Sequence, residues 1–186
     1  YDEGIEKIPY DPADAKRLLD EAGWDYSRVI TFYVSSSDAN LVDAVQIVEN
    51  NLNEVGIKLD VRTVDFATLM DVGGSEDVDV FSVQYTITPN DYYADLAGLI
   101  NTPDYSWTGG YFNPAVDEML WSTQTAATEE ETKDLYQQID RIVIEEVPLF
   151  ALYFQSNIGV VRDNLKNAEA SIYGALNNVH EWEFTE

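Results

Sequence analysis

Apolar residues recur along this chain with two periods, and the switches between them mark the elements. In YDPADAKRLLDEAGW (residues 10–24), Ala15, Leu18, Leu19 and Ala22 fall on one face at helical spacing. Asp11 is a natural N-cap, Pro12 suits the first helical position and Gly23 the residue past the end. RVITFYVS (28–35) is rich in β-branched and aromatic residues and predicts a strand, broken by SSSD. A second helical stripe runs through Leu41, Ala44, Val45, Val48, Leu52 and Val55 and ends at Gly56. IKLDVRTV (57–64) then alternates, with Ile57, Leu59 and Val61 opposite Lys58, Asp60 and Arg62, which predicts a half-buried strand. A short helical turn near 66–70, a GGSED loop and a strand VDVFSVQY (78–85) follow. Alternation of helix and strand predicts an α/β fold with a mixed sheet flanked by helices.

From residue 86 to 113 the periodicity lapses, apart from a short helical stretch near 92–99. An irregular connection of this length inside a compact domain is usually functional. Regularity returns in NPAVDEMLWST (113–123), where Asn113 caps, Pro114 opens, and Val116, Met119 and Leu120 face inward. Thr128 and Glu131 fit a capping box. The helix after them buries Leu135, Ile139, Ile142 and Val143, and Pro148 stops it. LFALYF (149–154) predicts a strongly apolar strand, IGVVR (158–162) another, and HEWEF (180–184) a final one.

Charge changes the picture most. Asp and Glu number 35 against 10 Lys and Arg, a formal net charge of −25. Such a surface repels nucleic acid and anionic lipid. It suits a salty or extracellular setting, or else reflects a generally acidic proteome. There is no Cys, so thiolate metal sites and disulfides drop out, and the one His, His180, reads as a surface residue. No apolar run approaches the roughly 18 residues of a membrane span. No signal peptide is visible, as is equally expected of a mature or excised piece.

Candidate chemistry is sparse. Carboxylates are so abundant that pairs arise by chance, and an EF-hand loop, a G-x-S-x-G elbow and a phosphate-binding glycine motif are all missing. The irregular segment stands out instead. Tyr85, Tyr92, Tyr93, Tyr105, Trp107, Tyr111 and Phe112 crowd together there, beside the polar Thr86, Thr88, Asn90 and Asp91. Apolar walls with a few placed polar groups suit a small-molecule or peptide site. The competing reading is that these aromatics roof the sheet.

Three stretches resemble one family. YDPADAKRLLDEAGW, NPAVDEMLWST and LYQQIDRIVIEEVPLFALYF are similar, in this order, to segments of the extracellular solute-binding proteins of the oligopeptide/dipeptide/nickel class, family 5. The resemblance covers about residues 10–154 and implies the C-terminal lobe of a two-lobed, periplasmic-binding-protein-like molecule. It implies that 1–186 is a single α/β domain, whose residues after about 154 return toward the hinge and a missing N-terminal lobe. It also implies capture of a peptide or other small solute for a membrane permease of an ABC importer. The setting would be lipid-anchored on the extracellular face or periplasmic, with no catalysis, cofactor or metal.

Site residues follow from the same resemblance. Tyr85 stands where the family often has Trp, and Thr88 where several peptide binders have an Asp that grips the ligand's amino group. Asp91 is three residues further on, a possible substitute. With Asn90, Trp107 and Tyr111 these complete the expected ligand-binding set. The departure at Thr88 leaves an acylated peptide, a glycan or another solute as alternatives to a free peptide. An acidic-residue hydrolase acting on a glycan or peptide is the competing function.

Overall fold

The computed structural model describes every residue except 1–3, 6, 7, 74, 76, 77, 87–91, 102–110, 157, 170, 172, 175 and 186. It separates into two compact units, Tyr1–Phe150 and Ala151–Glu186.

The first unit opens with α1 (Pro12–Glu21), β1 (Val29–Ser35), α2 (Ala39–Glu54), β2 (Lys58–Val64), α3 (Phe66–Val72) and β3 (Val80–Ser82). The helix starts are set by side chains. Asp11 accepts from the Asp14 N–H, Asp38 from Leu41 and Asp65 from Thr68. The stops of α1 and α2 are alike. Trp24 N–H bonds Leu19 O and Gly23 N–H bonds Asp20 O, while Ile57 bonds Leu52 and Gly56 bonds Asn53. Both are Schellman closures, and both put a glycine at positive φ, 68° at Gly23 and 90° at Gly56.

Strand order is β2-β1-β3, all parallel. Phe32 stands opposite Val61 and Val80, and Tyr33 opposite Arg62 and Phe81. Residues in register share a face, so Phe32 and Val34, both buried, line one side and Tyr33 the other. Leu41, Val45, Val55 and Leu69 complete this part of the core. Three further helices, α4 (Tyr92–Ile100), α5 (Pro114–Thr123) and α6 (Glu129–Glu146), close on a second cluster of Ile100, Val116, Leu120 and Ile139. Asn113 caps α5 through the Ala115 and Val116 N–H groups. Thr128 caps α6, but Glu131 returns its carboxylate to the Ala127 N–H, one residue beyond the usual capping-box partner.

The second unit holds β4 (Leu165–Lys166) and β5 (Glu183–Phe184), paired antiparallel, with a 3₁₀ turn at Val179–Glu181 between them. His180 is exposed beside Glu181.

Several sequence expectations are corrected. The strand expected over 78–85 is only Val80–Ser82, because the Asp79 carboxylate takes the Thr31 N–H where a ladder bond would otherwise start. LFALYF and IGVVR form no strand. High β-propensity needs a partner ladder, and none of the described residues provides one; Phe154 and Val160 are about nine-tenths exposed. HEWEF contributes its first two residues to a turn and only Glu183–Phe184 to a strand. On α1 the apolar stripe is largely uncovered. Leu18 is 51% exposed and no residue of the helix is buried.

Candidate functional site

Parallel strands direct their carboxyl ends to one edge of the sheet, and ligands of open α/β sheets sit where the crossovers diverge. Here the chain leaves β1 through α2 to β2, then passes back across β1 through α3 to β3. Right-handed crossovers in opposite directions put the two helices on opposite faces. A cavity of about 150 Å³ lies at this divergence. Ser35, Ser37 and Asp38 line it from the end of β1, with Leu41 from the first turn of α2. Phe66, at the start of α3, and Val83 and Gln84, just past β3, complete the wall.

Each of these side chains is placed by local bonding. Ser35 is buried as the last residue of β1, and its hydroxyl lies 2.7 Å from that of Ser37. The Ser36 N–H extends the ladder to Val64 O at 2.7 Å, so the turn stays attached to β2. Asp38 is held by its 3.1 Å cap to Leu41. Beside the crevice, Asp65 accepts from both the backbone and the hydroxyl of Thr68, which holds its carboxyl below the usual range. Phe66 is half exposed, so an aromatic face is available at the rim.

The sequence-predicted residues fall elsewhere. The Tyr85 hydroxyl reaches Asp95 O in α4 at 3.3 Å, and its pKa is raised by burial and then by the Asp95 carboxylate. The Tyr111 hydroxyl donates to Glu146 Oε2 at 2.6 Å, at the end of α6. Neither residue lines the cavity. Thr88, Asn90, Asp91 and Trp107 lie outside the described residues. Sequence reading passed over Ser37, Asp38, Phe66 and Gln84. For three of them the signal was available: Ser37 and Asp38 lie just past a predicted strand and Phe66 opens a predicted helical turn, whereas Gln84 lies inside the strand predicted over 78–85 and leaves it only because β3 ends at Ser82.

A second, open groove of about 350 Å³ lies along the end of α6, lined by Gly4, Ile5, Ile8, Arg141, Ile144 and Glu145. Among the described residues there is no group of three or more His, Cys, Asp or Glu that would hold a metal ion, and no helix long and apolar enough to cross a membrane.

Residues 1–118 match the family model described as "Bacterial extracellular solute-binding proteins, family 5 Middle". The chain belongs to this family. Its relatives include the Di/tripeptide-binding protein 2 of Pseudomonas aeruginosa, 22% identical over 92% of this chain and 33% of that protein. The Oligopeptide-binding protein AppA of Bacillus subtilis is also 22% identical, over 96% of this chain and 35% of the relative. This family 5 chain thus spans about a third of the length of these curated relatives. Among solved structures, the putative peptide binding protein AppA from Clostridium difficile superposes with a TM-score of 0.88 at 18% identity, over 98% of this chain and 39% of that one. Bacillus subtilis AppA, solved in complex with a nonapeptide, gives 0.78 at 19%, over all of this chain and 40% of the other. These likenesses bear out the α/β, periplasmic-binding-protein-like fold and the family resemblance.

Proposed function

We propose that this chain is one lobe of a solute-binding protein that captures a peptide outside the cell and delivers it to an ABC importer. The observation that carries this is the crevice at the carboxyl ends of β1 and β3, in a chain of family 5 whose curated relatives include peptide-binding proteins. A complete pocket for a small ligand has roughly 300–1,000 Å³. A cavity of about 150 Å³ holds only part of a ligand, as one half of a site between two lobes would. The remaining contacts come from the missing lobe as the two close, a population shift toward the closed state driven by ligand. The partners are then that lobe and the membrane permease. Anchoring by lipid or residence in the periplasm completes the proposal.

Phe66 offers an apolar contact and Ser37 and Gln84 polar ones, a combination suited to binding. The hydrolase alternative finds no support in the family or in its relatives. The irregular segment with Thr88, Asn90, Asp91 and Trp107 is proposed as further ligand contact, and Tyr85 and Tyr111 as its supports.

The test uses the full two-lobed protein, purified from rich medium and released from its cargo under mild acid. Mass spectrometry of the released fraction should show a set of short peptides. A single non-peptide species would replace peptide capture with a specialised solute. The isolated 186-residue chain should bind the same peptides weakly or not at all; tight binding would overturn the half-site reading.

A further inference from the structure

We propose that the crevice selects for positive charge: peptides bearing Lys or Arg are taken in preference to peptides bearing Asp or Glu. This rests on the peptide-capture reading and adds the ligand's charge to it.

The first observation is the distribution of bases. No Lys or Arg occurs from residue 29 to 57 or from 63 to 132. Those two stretches supply every wall of the crevice, from Ser35 to Leu41 and from Phe66 to Gln84. In the first unit the described bases are placed or occupied elsewhere. Arg28 and Lys58 stand at the amino ends of β1 and β2, and Arg28 is bound to Asp79. Arg17 is bound to Asp14 and Glu21 on α1, and Lys16 lies over the Tyr26 ring. Arg62, the base nearest the carboxyl end of a strand, is held by Asp60 and the Tyr33 hydroxyl. Lys133 and Arg141 belong to α6.

The second observation concerns the helix starts. A helix N-terminus at the carboxyl edge of a parallel sheet is ordinarily a place for an anion. At α2 that place is already filled from within, because the Asp38 carboxylate accepts the Leu41 N–H. Asp65 does the same at α3. At the crevice itself, the Leu41 N–H that would otherwise welcome a ligand carboxylate is covered by a resident one. Among the described residues, Asp38 is also the one ionisable side chain in the crevice wall. Among the described residues that line the crevice, a ligand carboxylate therefore meets a like charge and no counter-ion, while an ammonium or guanidinium meets a fixed carboxylate.

The test is a competition. The full two-lobed protein is offered an equimolar synthetic pool of peptides of three to nine residues, matched except for one Lys, Ala or Glu, and the bound fraction is counted by mass spectrometry. Lys members should be enriched over Glu members by about tenfold at low salt, the ratio shrinking as salt screens the charges. Asp38→Asn keeps a good N-cap and should cut that ratio by about threefold, whereas Glu130→Gln, on α6 and outside the crevice wall, should leave it unchanged. A ratio near one, or equal effects of the two variants, overturns charge selection while leaving peptide capture standing. Retention of no peptide overturns both.

Discussion

The Tyr111 hydroxyl donates a 2.6 Å hydrogen bond to Glu146 Oε2 across a sequence separation of 35 residues. Asn113 donates to both oxygens of the same carboxylate while its own carbonyl oxygen caps α5. One acidic side chain at the end of α6 thus fixes the residues that lead into α5. Its placement at a helix C-terminus is unfavourable for an anion, so the two donors are what hold it there.

This network predicts a pH dependence at both ends. Burial, and then the bond to Glu146, push the Tyr111 pKa up to about 12 from 10.0. A raised folded pKa gives stability that is complete below 10.0 and lost as pH rises through about 12. Glu146 has the opposite sign. Tyr111 and Asn113 hold its pKa below 4.5, so its contribution is present above 4.5 and lost as pH falls through the lower folded value. Urea midpoints across pH should fall at both extremes. In Tyr111→Phe the tyrosinate absorbance should lose its latest-titrating step and the alkaline fall should shrink; an unchanged titration would show that the bond does not form.

Asp79 ties the start of β3 to β1. Its carboxylate accepts the Thr31 N–H at 2.9 Å and pairs with Arg28, and the backbone bond is the main reason its pKa is lowered from 3.8. Asp79→Ala should destabilise by about 1 kcal/mol, the net worth of a hydrogen bond at a partly exposed site. Asp79→Asn, which keeps an acceptor, should cost less. Equal losses in chemical denaturation would mean that charge pairing, not the Thr31 bond, is the contribution.

The two glycine stops separate strain from crowding. Gly23 has φ 68° and open space where a Cβ would stand. Gly56 has φ 90°, and a Cβ there would meet the Tyr26 ring at 3.0 Å. Gly23→Ala should cost about 1 kcal/mol for the left-handed backbone alone. Gly56→Ala should cost measurably more, and combining it with Tyr26→Ala should recover part of the excess. Equal costs in urea unfolding would remove the ring contact from the account.

Core truncations should rank by burial. Leu120→Ala and Ile139→Ala, at about 1% and 0% exposure inside the helical cluster, should each cost about 2–5 kcal/mol. Leu18→Ala, on the uncovered side of α1, should change stability by less than about 1 kcal/mol. A Leu18 effect as large as that of Leu120 would show the α1 face to be covered in solution.

The helix ends were legible in the sequence because their causes lie within four residues. Asp11 with Pro12, Asn113 with Pro114, and Thr128 each satisfy N–H groups of the turn that follows, and Gly23 and Gly56 take the backbone that closes the preceding one. These are short-range bonds, and the residue types that make them are few. The alternating pattern of β2 was legible too, since Leu59 and Val61 must turn to one side. The family resemblance rests on the same local segments. Tertiary structure decided what depends on partners. LFALYF has every propensity of a strand, yet a strand is stable only when its backbone groups meet another's. Leu18 sits on a proper apolar stripe, yet a stripe is buried only if something covers it. The crevice is of the same kind: Ser37, Asp38, Phe66 and Gln84 are spread over nearly fifty residues, and only the crossing of the chain over β1 brings them to one edge of the sheet.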